Sequence, residues 1–162
     1  MPKYHSAKSP DDLVTRDLLL SMSGFAFMQS MRDGNIAGPP IAGEMNIQVH
    51  GVEKGRVTFR GTPQFRHSNP VGVVHGGWYG AMLDSCLGCT VMTVVPKGST
   101  YTTLEYKVNI VRPIPADTEV EATGTIQHAG RSTGVAIGEI RGVEDGRLYA
   151  TGSTTCIIMS AE

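Results

Sequence analysis

The chain has 162 residues, 40% of them hydrophobic and 18% charged, with a formal net charge of −1. That balance excludes a disordered chain and gives no bulk electrostatic attraction to nucleic acid or to an anionic membrane. The length predicts one domain able to bury a real core.

Residues 1–10 are expected to be a flexible arm; they contain no apolar leader segment and read as mature protein. Ser9-Pro10-Asp11-Asp12 has the make-up of a helix start, with a capping serine, a proline at the first helical position and early acids. It predicts a helical extension over 11–34 through Leu13, Leu18, Leu19 and Met31, with a break at Gly24 and an end at Asp33-Gly34. The domain as a whole spans 11–162. Gly38-Pro39-Pro40 is a loop.

The period then changes to two. Met45, Ile47 and Val49 alternate with polar residues and predict a strand. Glu53-Lys54-Gly55 turns the chain, and Val57 and Phe59 continue on a second strand. Residues 62–75 form a long loop with prolines at 63 and 70. An apolar helix of about 19 residues follows from Gly76, spans about 28 Å and ends near Pro96-Lys97-Gly98.

The C-terminal half is strand after strand. Leu104, Tyr106, Val108 and Ile110 face one way, and Thr103, Glu105, Lys107 and Asn109 the other. Arg112-Pro113-Ile114-Pro115 stops that strand. Further strands run near 119–126, from Arg131 to Val143 and from Arg147 to Met159, with turns at Ala129-Gly130 and Asp145-Gly146. Short turns predict an antiparallel meander of these last four strands. The fold class is α+β: a long central helix wrapped by a curved, mainly antiparallel sheet of about six strands, with an extra N-terminal helix.

Asp84 is the only formally charged residue between His75 and Lys97. Burying a carboxylate costs several kcal/mol unless it is compensated, so a lone acid in an apolar helix suggests chemistry. The same acid, with Gly80 and Gly88, argues against a membrane span. At the helix start, Gly76 and Gly77 leave backbone N–H groups uncovered at a positive dipole end, equipment suited to holding an oxyanion. Seven residues bring Asp84 to within about 20° of Gly77's direction but about 10 Å further along the axis. Asp84 therefore cannot serve its own helix end. If the two features cooperate, the acid comes from a second copy, which implies a symmetric dimer with shared sites. Gly80 and Gly88 suggest close approach of a neighbour.

The run Asn69-x-x-Gly72-x-x-His75-Gly76-Gly77, with Asp84 nine positions after the histidine, resembles the hot-dog-fold acyl-CoA thioesterases of the PaaI-like (phenylacetate-degradation) group. The strand from Thr103 to Pro113 and the segment His128-Ala129-Gly130-Arg131-Ser132 are similar to later parts of that family. The resemblance covers roughly residues 40–160. It implies an aromatic or medium-chain acyl-CoA substrate, cut to free acid and coenzyme A without a cofactor. It makes Asp84 the general base or nucleophile and the Gly77 N–H the group that polarises the thioester carbonyl. His75 orients that carbonyl or its loop, Asn69 positions water or the leaving group, and Thr103 hydrogen-bonds the acid or water. Gly76, Arg112, Pro113, Gly130, Arg131 and Ser132 match regions that hold coenzyme A. Phe65, Trp78, Met82 and Tyr106 are candidate pocket residues. A homodimer, or a homotetramer built from two, in the cytoplasm is the expected state, with no nucleic-acid or membrane partner.

Plainer readings stand beside these. Asp84 alone could be a structural acid, Asn69 an ordinary turn residue, and Arg112 and Arg131 solvated charges. Cys86 and Cys89 have C-x-x-C spacing but lie mid-helix among apolar residues, which favours core packing over redox chemistry. The five histidines show no metal-ligand spacing with the cysteines, and no G-x-S-x-G marks a serine nucleophile. The alternatives on the same fold are a non-catalytic acyl-CoA binder and a hydratase or dehydratase.

Overall fold

The computed structural model describes residues 4–161. Three short helices come first: α1 (Arg16–Leu20), α2 (Gly24–Arg32) and α3 (Pro40–Glu44). The strands β1 (Ile47–Glu53) and β2 (Arg56–Gly61) follow, then the helix α4 (Gly76–Met92). The chain closes with β3 (Ser99–Ile110), β4 (Val120–Ala129), β5 (Thr133–Gly142) and β6 (Leu148–Ser160).

Helix α4 is buried on most of its circumference, by Trp78, Met82, Leu83, Cys86, Leu87 and Val91 among others, and only the flank of Ala81, Asp84, Ser85 and Cys89 is half-buried. A helix apolar all round must be surrounded, and one sheet of six strands, in the order β1-β2-β4-β5-β6-β3, does this. Every pairing is antiparallel. This is the hot-dog arrangement expected from the sequence. Its contact surface is set by small residues. Gly124 pairs with Gly138, and Gly138 with Gly152, so a row without side chains crosses three strands. Leu83 and Leu87 lie on that row. A methyl group on Gly138 would come within 2.8 Å of a Leu87 methyl, and one on Gly152 within 3.1 Å of a Leu83 methyl.

The four-strand meander is corrected. β4, β5 and β6 do form one, but β3 lies beyond β6 at the sheet edge. The link over 111–119 carries Pro113 and Pro115 and is too long for a tight hairpin. Its start stays beside β6, where the Val111 and Arg112 N–H groups donate to the Tyr149 carbonyl (2.9 and 3.1 Å). The buried Ile114 N–H donates to the Tyr79 hydroxyl at 2.7 Å, and the Asp117 N–H to the Pro63 carbonyl at 2.8 Å. The link is thus carried across the start of α4, and β4 arrives beside β2.

The N-terminal region also differs from one helix with a break. Residues 1–3 of the expected arm lie outside the described residues. From His5 the chain runs beside Gly38, with hydrogen bonds Ala7 N–H to Gly38 C=O and Gly38 N–H to His5 C=O, both 2.8 Å. Pro10–Asp12 makes only a 3-10 turn. The helical segment is split because Thr15 and Ser23 each cap a new helix, accepting from the Leu18 N–H at 3.2 Å and the Ala26 N–H at 3.3 Å. Gly24 opens α2, and its N–H donates to the Val95 carbonyl at 3.0 Å, tying the extension to the end of α4. Pro40, expected at the end of a loop, instead opens the helical turn α3.

The glycine row carries a stability prediction. Gly138→Val should lower unfolding free energy by about 3 kcal/mol, because the added side chain meets the Thr123 carbonyl as well as Leu87, read as a fall in urea midpoint. An unchanged midpoint would show that α4 does not need the bare row.

Candidate active site

The loop that presents α4 is built from its own polar groups. Asn69 Oδ1 accepts from the Val71 and Val73 N–H groups, each at 3.1 Å, and Gly72 takes a positive φ of 81°. The buried His67 anchors the segment. Its Nδ1 accepts from the Gln64 N–H and its Nε2 meets the Glu44 carbonyl, both at 2.8 Å, while its own carbonyl accepts from the His75 N–H at 2.8 Å. Sequence reasoning passed over His67; an isolated histidine beside an arginine offers no periodic signal. Asn69, for its part, spends its side-chain oxygen on the turn.

His75 is the N-cap of α4, and its Nδ1 accepts from the Gly77 N–H at 2.9 Å. That donor is thus engaged within the chain. The Gly76 N–H, one residue earlier, donates to no group among the described residues. His75, Gly76 and Gly77 are all exposed. The donor left free at the positive helix end is therefore Gly76.

Asp84 is half-buried, and its Oδ1 accepts from the Thr103 hydroxyl at 3.0 Å. A bulge in β3 sets this contact: Thr103 pairs with Cys156 and Glu105 with Thr155, which leaves Leu104 without a partner. The simple alternation read from the sequence is broken there, so Thr103 and Tyr106 both turn toward α4. Tyr106 lies over Gly80, its hydroxyl 3.3 Å from where a β-carbon would stand, and Tyr101 lies over Gly88 at 3.0 Å. The helix glycines thus accommodate tyrosines of the same chain, where a neighbouring copy was expected.

Beside Asp84, Ser85 and Thr103 a cavity of about 420 Å³ opens between α4 and the N-terminal extension. None of the four pocket candidates lines it. Trp78 and Met82 are core residues, Phe65 is exposed, and Tyr106 is turned to Gly80. The walls come instead from the extension, α2 and β2, where hydrophobic residues gave no sign of facing a void.

The coenzyme-binding candidates fall into two groups. Arg112 and Pro113 border a cleft of about 240 Å³ with Val73 and Val74, near the start of α4. Arg112 Nη1 donates to the Leu148 carbonyl at 2.9 Å, and its guanidinium remains on an exposed residue. Gly130, Arg131 and Ser132 are exposed on the β4–β5 hairpin, beside Gly134, which packs on Val91 near the other end of α4. One chain therefore does not bring the two groups together.

Burial disfavours the thiolate form of the cysteines. Burial pushes Cys86 up strongly and, with the Asp84 charge as the second cause, raises Cys89 to about 12; burial also raises Cys156. All three are free and protonated at neutral pH. Among the described residues no His, Cys, Asp and Glu group could hold a metal ion, and no helix is long and apolar enough to cross a membrane.

Residues 71–149 match the family model of the thioesterase superfamily. No curated protein sequence matches the chain. Solved structures do. A phenylacetic acid degradation-related protein of Ralstonia eutropha JMP134 is 28% identical, with a TM-score of 0.73 over 81% of this chain and 98% of that one. The PaaI protein of the E. coli phenylacetic acid degradation operon has a TM-score of 0.73 at 18% identity, over 86% and 97% of the two chains. A hypothetical thioesterase of Streptococcus pneumoniae TIGR4, solved with coenzyme A, has a TM-score of 0.65 at 23% identity, over 71% and 87%. At their identities the last two share the fold.

The His75 cap can be tested alone. His75→Ala should cost about 1 kcal/mol of stability, and His75→Asn should recover most of it because asparagine caps in the same way. Equal loss in both variants by chemical denaturation would deny the capping role.

Proposed function

We propose that this chain is a hot-dog-fold member of the thioesterase superfamily, as its match over residues 71–149 supports, and that it hydrolyses an acyl-CoA thioester to a free acid and coenzyme A. Asp84 carries the reading. It is the single charge on the cavity wall, with one carboxylate oxygen held by Thr103 and the other available to water. Thr103 fixes the carboxylate's direction, as an orienting partner does for a catalytic base.

In the proposed reaction, Asp84 takes a proton from water as that water attacks the thioester carbonyl carbon. The oxygen becomes an oxyanion, which the Gly76 N–H and the positive end of α4 stabilise. Collapse of the intermediate breaks the carbon–sulfur bond, and Asp84 returns the proton to the leaving thiolate. His75 acts at one remove, by keeping the Gly77 N–H occupied and the first turn of α4 in place. Direct attack by Asp84, which forms a mixed anhydride and releases coenzyme A before water enters, is the competing course; in a single turnover in ¹⁸O-water, label in Asp84 establishes it, because water then opened the anhydride at the Asp84 carbonyl.

Asp84 and Gly76 are eight residues apart on one helix, about 12 Å along the axis. The reading therefore requires a dimer in which each site takes Asp84 from one copy and Gly76 from the other. The edge strand β3 supports this. It is 12 residues long, unpaired on its outer side, and carries exposed Leu104, Tyr106 and Ile110. A long apolar edge is a template for pairing with a second chain. Arg112 of one copy and Arg131 of the other are the proposed contacts for the coenzyme's phosphates.

Asp84→Asn should reduce kcat on acyl-CoA by at least about 10²-fold, measured as released thiol; undiminished turnover would remove Asp84 from the mechanism. Asp84→Asn and Gly76→Val chains, each inactive alone, should recover about one quarter of wild-type activity when unfolded and refolded together, since half the dimers are mixed and each mixed dimer has one intact site. Mixed dimers that stay inactive would refute the shared site and leave the thioesterase assignment standing.

A further inference from the structure

We propose that Cys156 is a positioning residue: its sulfur holds the Thr103 hydroxyl against Asp84, and Thr154 holds the sulfur. The inference rests on the thioesterase reading, in which Asp84 takes a proton from water, and adds to it a side chain that never meets the substrate.

The three side chains stand in a row behind the acid. Thr103 on β3 and Cys156 on β6 are cross-strand partners, and so are Tyr106 and Thr154. Directly opposed residues bring their side chains into contact, and the Cys156 sulfur lies beside the hydroxyls of both Thr154 and Thr103. Cys156 and Thr154 are fully buried and do not line the cavity. The bulge that turns Thr103 toward α4 also anchors the row. Glu105, the residue after the unpaired Leu104, supplies the carbonyl at which it ends.

The protons of this row can be assigned. The Thr154 hydroxyl lies 2.8 Å from the Glu105 carbonyl, which can only accept, so the Thr154 proton is used there. The Thr154 oxygen is 3.9 Å from the Cys156 sulfur. Between these two atoms the thiol must therefore be the donor, and burial keeps that thiol protonated. The sulfur then presents only lone pairs to Thr103, and sulfur is a weak acceptor. The Thr103 proton goes to the stronger acceptor, the Asp84 carboxylate oxygen at 3.0 Å.

Two properties of sulfur thus serve the acid. Its bulk backs the Thr103 hydroxyl, and a gap in its place would forfeit those contacts and free the threonine to turn away. Its weak acceptance leaves the Thr103 proton on the Asp84 side. Buried neighbours that lock a rotamer in this way keep a working group in its productive geometry.

The test is a mutant cycle in the full-length protein. Cys156→Ala should lower kcat on acyl-CoA about fivefold with KM unchanged. Cys156→Ser, with a smaller atom and a stronger acceptor, should lower it as well; it leaves the smaller void and serves if the alanine variant does not fold. In a Thr103→Val background, where no hydroxyl is left to position, Cys156→Ala should change kcat by less than about twofold. A purely structural cysteine would lower kcat equally in both backgrounds. That result, or wild-type kcat in both variants at position 156, would overturn the proposal and leave the thioesterase reading intact.

A second readout needs no turnover. Infrared difference against Asp84→Asn isolates the Asp84 carboxylate stretch, which responds to hydrogen bonds at its oxygens. Thr103→Val and Cys156→Ala should move this band in the same direction, and the double variant should move it no further than Thr103→Val alone. If wild type turns over no acyl-CoA, the thioesterase reading fails and the band decides the rest. A Cys156→Ala shift that vanishes in the Thr103→Val background keeps the positioning of Asp84. An unmoved band, or one that moves without regard to Thr103, sinks it.

Discussion

A helix with no polar face has to be enclosed, and the rest of this structure follows from enclosing α4. Its burial fixes the curvature of the sheet, the row of paired glycines at 124, 138 and 152, and the long link that returns β4 to the side of β2. Enclosure also restricts where a carboxylate can stand. Asp84 is tolerated because it lies on the one flank where the sheet ends at β3 and the helix meets a cavity. There it accepts a hydrogen bond from Thr103 while keeping a path to water. The same constraint thus produces the fold and leaves a carboxylate at its margin.

β3 is the element in which structure and chemistry meet. It runs antiparallel to α4, with Ile110 by Gly76, Tyr106 by Gly80 and Tyr101 by Gly88. One unpaired residue, Leu104, changes the phase of the strand so that Thr103 reaches Asp84. Without the bulge, Thr103 and Tyr106 would point to opposite sides of the sheet, and either the acid or the Gly80 surface would lose its partner. Bulges redirect side chains near active sites in this way.

What could be read from the sequence divides along physical lines. The α4 helix, the Asp145-Gly146 hairpin and most strand ranges were legible because apolar periodicity and turn chemistry are local. The contact between Asp84 and Thr103 was legible only through family resemblance, since nothing in the strand marks that threonine. The bulge was hidden because its signature is a pairing offset between β3 and β6, not a residue type. The break before α2 was legible from Gly24 itself, but the caps were hidden because Thr15 and Ser23 become caps only once Gly24 docks on the end of α4. The engagement of the Gly77 N–H was hidden too, since it needs the His75 rotamer that places Nδ1 against that group. The cavity lining was the least legible, since a hydrophobic side chain facing a void has the same identity as one facing the core.

The order of neighbours along β3 also constrains the proposed dimer. Ile110 marks the Gly76 end of α4, and Thr103 marks Asp84. If two β3 strands pair antiparallel with Ile110 opposite Thr103, the two-fold axis passes near Tyr106 and Lys107. That single register places Gly76 of each copy beside Asp84 of the other, twice over, with no change to either chain. A register shifted by two residues would displace the partners by about 7 Å along the strand, well beyond hydrogen-bond reach of a common carbonyl. The exposed apolar residues of β3 thus do more than hold two copies together in this reading. They must select one alignment, and Tyr106, at the axis and lying on Gly80, is the residue placed to do so.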